Sequence, residues 1–153
     1  MAKTSQAPAF VRVGNVLTTT LLRAGFKLVG PGVIIGHYPM YLLTVRGRKS
    51  GQPRTVPVVL IQRNGKRYLA APYGIVDWVR NLRAAGEAML TRARRSETVN
   101  ARELPPGEAA LVLQADVKGG NPFARYFHVT AESSLEDFEH AAISHPMFVL
   151  ERK

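Results

Sequence analysis

Cysteine is absent from the 153-residue sequence. Disulfides, thiolate metal sites and thiol nucleophiles are therefore excluded, and the chain is compatible with a reducing cytoplasm. Acids are scarce as well, with 11 Asp and Glu against 21 Lys and Arg, and the formal charge of +10 favours an anionic partner. There is no Gly-x-Ser-x-Gly elbow and no pair of carboxylates near a candidate pocket, so hydrolysis by a serine nucleophile or a carboxylate pair has no players. His37, His128, His140 and His145 lack the paired spacing of metal ligands. Long apolar runs are missing too: Arg12 and Arg23 leave ten residues between charges, where a membrane span needs roughly 20. The first 20 residues lack the basic start, apolar block and small-residue cleavage site of a secretory signal.

What is present describes a globular chain, 46% hydrophobic and 21% charged, of a length suited to one domain. Residues 1–7 read as a disordered tail and residues 8–29 as an amphipathic helix. Phe10, Val13, Leu17, Leu21, Ala24 and Leu28 form its apolar stripe, and Arg12, Arg23 and Lys27 its basic face. Such a helix either covers an open sheet face or a dimer contact, or lies on an anionic membrane surface. Gly30-Pro31-Gly32 ends it.

The middle of the chain alternates strand and turn signals. Strands are expected over 40–46, 54–62 and 67–71, with Asn64-Gly65 as a two-residue hairpin turn. Pro57 cannot donate to a ladder, which places it at a sheet edge, a bulge or a ligand-facing stretch. A helix begins at Asp77, its expected N-cap, with Trp78, Val79, Leu82, Ala85 and Met89 recurring at three and four, and Gly86 is expected to close it. A hairpin over 88–93 and 97–104 turns around Arg94-Arg95-Ser96. A helix over 109–117 follows Pro105-Pro106, and another over 134–143 follows a capping box at Ser133-x-x-Glu136. A last strand runs over 147–151. The class is α+β, with a mainly antiparallel, barrel-like sheet and flanking helices.

The stretch Gly47-Arg48-Lys49-Ser50-Gly51-Gln52-Pro53-Arg54 joins the first two of these strands. Its glycines let the backbone reverse with N–H groups turned outward, and Arg48, Lys49 and Arg54 surround that turn with cations. It is a seat for phosphate or carboxylate, or a hairpin tip with solvated charge. It is not a P-loop, since Gln52-Pro53 and a strand follow Gly51 rather than Lys-Ser/Thr and a helix.

Gly47-Arg48-Lys49-Ser50-Gly51-x-Pro53-Arg54-x-x-Pro57, followed by Asp77-Trp78-x-x-Asn81-Leu82-Arg83, resembles the deazaflavin-dependent nitroreductase family of actinobacterial reductases. The similarity extends over residues 8–150 and takes in Tyr126-Phe127-x-Val129 and His145-Pro146-x-Phe148. The resemblance implies a split β-barrel of the FMN-binding type that uses coenzyme F420, a deazaflavin with a phosphate and a glutamate tail. It implies hydride transfer to a quinone, an activated alkene or enone, or a nitro compound. By the same resemblance Arg48, Lys49, Ser50 and Arg54 hold the anionic end. Backbone groups of Pro57 and Val58, with the small residues Ala70, Ala71 and Pro72, are expected to line a flat slot for the ring, which by the resemblance Trp78 and Asn81 close. Tyr73 and Tyr126 are candidate proton donors or pocket lining.

The chain departs from the nitroreductase subgroup at Pro72-Tyr73-Gly74-Ile75-Val76-Asp77, which is shorter and more apolar than that subgroup's serine- and glycine-rich loop. An apolar acceptor is therefore favoured over a nitroaromatic. Expected partners are the electron acceptor and an F420-reducing dehydrogenase, with no nucleic acid, in a cytoplasmic monomer or homodimer that contacts the inner membrane face peripherally. Two other classes stay open: an FMN- or haem-binding split barrel or non-catalytic F420 carrier, and a basic module for membrane or nucleic acid.

Overall fold

The computed structural model describes residues 34–35 and 38–153; the expected tail over 1–7 and helix over 8–29 lie outside them. Chain order is β1 (Ile34–Ile35), β2 (Tyr38–Arg46), β3 (Pro53–Val59), β4 (Ile61–Arg63), β5 (Lys66–Ala70), α1 (Asp77–Ala85), β6 (Glu87–Arg92), β7 (Arg95–Glu103), α2 (Pro106–Lys118), a 3-10 turn (Ala124–Phe127), α3 (Leu135–Ser144) and β8 (Met147–Arg152).

Every strand pair among the described residues is antiparallel, and the order β2-β6-β7-β8-β5-β4 curls almost into a ring. The ring closes through covalent chain. β3 pairs with β2, β4 pairs with β5, and Leu60 alone separates β3 from β4, its N–H donating to Pro39 O at 3.3 Å. The strand expected over 54–62 is thus two strands in two partnerships, because one segment must turn the corner of the barrel. Pro57 sits opposite Leu42 on β3, which has β2 as its one partner among the described residues. The missing donor therefore falls on a sheet edge, as expected.

Two apolar clusters flank the sheet. Leu43, Val45, Val58, Leu60, Leu69, Leu90, Val99, Phe148 and Leu150 fill the bore, and α1 stoppers one end of it with Val79 and Leu82. On the outer face, Leu113 and Val117 of α2 and Phe138, Ala141 and Ala142 of α3 pack against Met147 and Val149. Strand period 2 explains why β8 is an unbroken apolar run: Phe148 and Leu150 face the bore while Met147 and Val149 face the helices.

Three local expectations are corrected. Val76, not Asp77, is the N-cap of α1, with extended backbone and no side-chain cap; Asp77 is the first helical residue and turns to Arg48 instead. The capping box of α3 is Ser134 with Asp137, one residue later than expected. Ser133 Oγ accepts from Thr130 N at 2.9 Å and is committed to the preceding turn. The β6–β7 hairpin turns at Ala93-Arg94, with Arg92 paired to Arg95 and Ala93 at φ 55, so Arg95 and Ser96 are strand residues. Gly86 closes α1 as expected, in the left-handed region with its N–H on Leu82 O at 2.8 Å.

Candidate functional site

The β2–β3 connection is a rigid loop. Gly47 N donates to Gln52 O at 2.7 Å, Gly51 N to Gly47 O at 2.9 Å, and Gln52 N to Ser50 Oγ at 3.2 Å. A Cβ on Gly47 would lie 3.0 Å from both Gln52 O and Ser50 Oγ, so only glycine fits beneath the turn. Gly51, at φ +71, supplies the left-handed residue that reverses the chain.

Arg48 ties this loop to α1. Its backbone N–H donates to Asn81 Oδ1 at 3.1 Å, its Nη1 to the same oxygen at 2.8 Å, and its Nη2 to Asp77 Oδ1 at 3.2 Å. Asn81 is 5% exposed, so the charge-assisted bond forms in partial shelter from water. Arg48 and Asn81, both expected at the cofactor, bond to each other, Asp77 completes the clamp, and Arg48 also lines the cleft beside the loop. Arg83 is likewise committed, with Nε and Nη2 on Glu103 at 2.8 and 2.6 Å; that bond holds its pKa above the ordinary value. Arg80 lies 3.7 Å from Asp77.

Lys49 and Arg54 differ. Neither side chain has a hydrogen-bond or ion-pair partner among the described residues, and both are exposed. Arg54 lies against Gly47, its Cγ 3.7 Å from where a Cβ there would stand. Beside them the loop and the last turn of α1, Ala84 and Ala85, enclose a cleft of about 590 Å³ that Arg46, Lys49 and Ser50 also line.

The expected ring slot divides by strand period. Val58 and Ala71 are buried in the bore, so their side chains cannot line a slot, and only their backbones are available to a ligand. Pro57 is exposed, while Ala70 and Pro72 are partly buried. Ala70 and Pro72 meet Val59 and Ile61 across a narrow gap of about 20 Å³, where the chain passes from β3, paired with β2, to β4, paired with β5. This is the split of the barrel. Trp78 is partly buried and tilted against Phe148, with ring centroids 6.3 Å apart, so one face of the indole belongs to the core.

Tyr73 and Tyr126 come together, edge to face at 5.1 Å. Arg125 lies over the Tyr126 ring at 4.8 Å and donates from Nη2 to its hydroxyl at 2.8 Å. Sequence reading missed what lies under this end of the split. Tyr38 OH donates to Asp116 Oδ1 at 2.6 Å, Asn121 Nδ2 to Asp116 Oδ2 at 2.6 Å, and Phe123 N to Asn121 Oδ1 at 2.7 Å. Burial, then the bond to Asp116, raises the Tyr38 pKa far above its ordinary value, so Tyr38 is a fixed donor. Tyr38 and Asp116 are 78 residues apart, and no local spacing signals the pair.

A family model for F420H(2)-dependent quinone reductases matches residues 23–133. The chain belongs to this family. Among solved structures, an F420-H2-dependent reductase (FDR-A) is 26% identical, with 73% of this chain and 93% of that one covered and a TM-score of 0.51. A domain-swapped dimer is 24% identical over 91% and 96% of the two chains, with a TM-score of 0.54. A protein of the pyridoxinephosphate oxidase family from Clostridium acetobutylicum, related to general stress protein 26, shares the fold at 10% identity, with 74% of each chain covered and a TM-score of 0.51. No curated protein sequence matches the chain. Membership establishes the split-barrel fold and coenzyme F420 as the redox cofactor, as the resemblance implied, and makes the protein an F420H2-dependent reductase. Among the described residues no helix is long and apolar enough to cross a membrane.

Proposed function

We propose that the protein transfers a hydride from reduced F420 to an electrophilic acceptor, with quinones and enones preferred to nitro compounds. The observation that carries this reading is the division of labour at the β2–β3 loop. Arg48 is held on α1, and that anchorage presents Lys49 on the wall of an open cleft and Arg54 against Gly47, neither side chain with a protein partner among the described residues. A guanidinium and an ammonium held there suit an acidic tail, the first as a two-pronged donor and the second as a point charge.

The rest of the site follows from β3. Its seven residues extend about 20 Å from the loop to the split, and its outer edge has no strand partner among the described residues. A ligand anchored at Lys49 and Arg54 lies along this edge, with backbone groups of Pro57 and Val58 beneath it and its ring near Ala70, Pro72 and Trp78. When bound, reduced deazaflavin supplies the hydride; the protein supplies orientation and charge. Tyr73 and Tyr126 then stand at the acceptor's end. Because Tyr126 Oη accepts from Arg125, its own proton remains free to be donated as the acceptor is reduced. Tyr73, 64% exposed, forms an apolar wall rather than a buried acid.

The apolar loop Pro72-Tyr73-Gly74-Ile75-Val76 offers no side-chain hydroxyl besides Tyr73 to orient a nitro group, which favours quinone and enone acceptors. The chain works as a monomer or homodimer, peripherally at the inner membrane face, and is supplied by an F420-reducing dehydrogenase. The test is a reaction of purified protein with reduced F420 and a panel of quinones, enones and nitroaromatics, followed by the reappearance of oxidised cofactor absorbance. Turnover confined to nitroaromatics, or none with any acceptor, contradicts the proposal.

A further inference from the structure

The bore of the barrel has two unlike ends. α1 closes one with Val79 and Leu82. At the other, the residues that register places on the bore side change from apolar to charged. Leu43 is followed outward on β2 by Tyr41, Leu90 on β6 by Arg92, Leu150 on β8 by Arg152, and Leu69 on β5 by Arg67. Tyr41, Leu90, Arg92 and Arg152 open into a bowl of about 1120 Å³ that Arg94, Arg95 and Lys153 also line.

Five cations and one carboxylate, Glu97, line this bowl. Glu97 is consumed: Arg67 donates to both of its oxygens, and Arg152 Nε donates to Oε2 at 2.9 Å. Lys153 Nζ is paired with Glu87 at 2.6 Å. Arg92, Arg94 and Arg95 have no ion-pair partner among the described residues. Arg92 is not merely solvated, because its guanidinium lies over the Tyr41 ring at 5.6 Å, a contact that leaves its N–H groups available to a ligand. Like charges around a concave, low-dielectric wall repel one another and focus a positive potential that an oxyanion relieves.

We propose that this open end of the barrel is a second anion site, taking a small molecule with two or more oxyanion groups, phosphate or carboxylate, gripped by Arg92, Arg94 and Arg95. It is separate from the loop at Lys49 and Arg54. Along β2 the distance from Tyr41 to Arg46, where the loop begins, is five residues, or about 17 Å, and the two clefts share no lining residue.

Calorimetric titration of the full chain with pyrophosphate, citrate and inorganic phosphate tests it. Saturable binding of pyrophosphate or citrate, at least tenfold tighter than that of phosphate, is expected. Binding of pyrophosphate alone assigns the site to phosphoryl groups, and binding of citrate alone to carboxylates. Arg92→Ala and Arg95→Ala should each weaken binding at least fivefold, and Arg92→Lys should restore only part of it because the fork is lost. Arg95 is the exposed first residue of β7, next to the hairpin turn, so its truncation leaves the fold intact. The double variant Lys49→Ala/Arg54→Ala should bind as the parent does. The proposal is overturned by absence of saturable binding, or by binding that survives Arg92→Ala and Arg95→Ala but is lost in the double variant, which would assign it to the loop.

Discussion

Asn81 shows how a single buried amide organises a site it need not touch. Its Oδ1, on a buried side chain, takes two hydrogen bonds from the more exposed Arg48, one of them from the main chain. Replacing it with leucine leaves a main-chain donor and a guanidinium without that acceptor, and an unmet buried donor costs about 1–3 kcal/mol. We expect Asn81→Leu to lower the unfolding free energy by that amount in chemical denaturation, and to weaken F420 binding as well because the loop is released. A stability equal to the parent's would mean that Asn81 does not clamp the loop. Glu97 makes a prediction in pH. The bond from Arg67, then that from Arg152, holds its carboxylate pKa below the ordinary value, against the opposing effect of burial. A depressed folded pKa contributes stability that is complete above the unfolded value, near 4.5. That contribution fades as pH falls below 4.5 toward the depressed folded value. Melting temperature followed from pH 7 downward should therefore fall more steeply across that interval in the parent than in Glu97→Gln.

Among the elements, α3 separates what a sequence pattern shows from what only geometry decides. Ser133-x-x-Glu136 and Ser134-x-x-Asp137 both have cap spacing, and the chain uses the second because Ser133 is already bonded to the Thr130 turn. Ser134→Ala should cost about 1 kcal/mol of stability. Glu136→Ala should cost only the few tenths due to a first-turn carboxylate near the helix dipole. Equal losses in thermal unfolding would contradict that assignment. The same distinction runs through the site. Pro57 announced an unpaired edge, and Gly47 and Gly51 announced a turn, because those residues act locally. The bond between Arg48 and Asn81 joins positions 33 apart, and nothing in the spacing distinguished a ligand-facing arginine from one spent on a helix. Val58 and Ala71 were expected to offer backbone groups to a slot, and strand period turns their side chains into the bore and leaves those groups as their one means of contact.

For the molecule as a whole, the alternation of hairpins and helices gave the α+β class and the barrel-like sheet in advance. The closure through Leu60 depends on β3 and β4 choosing different partners, a long-range choice with no sequence signature. That closure creates the two features on which the proposed function rests, a β3 edge with no strand partner among the described residues and a split beside Ala70 and Pro72. It also leaves the charged mouth at the far end of the bore. Among the described residues, cations without ion-pair partners gather at the β2–β3 loop and at the β6–β7 hairpin, on opposite sides of an apolar core.

The central claim is that Lys49 and Arg54, presented by a loop locked to α1, hold the acidic end of F420. Fluorescence titration of F420 into the parent and into Lys49→Ala and Arg54→Ala tests it most directly. Each replacement should weaken binding by about 1–3 kcal/mol, the scale of a bond to a charged group, with the melting temperature unchanged. Affinity equal to the parent's in both variants, at unchanged stability, would place the anionic end elsewhere and contradict the account.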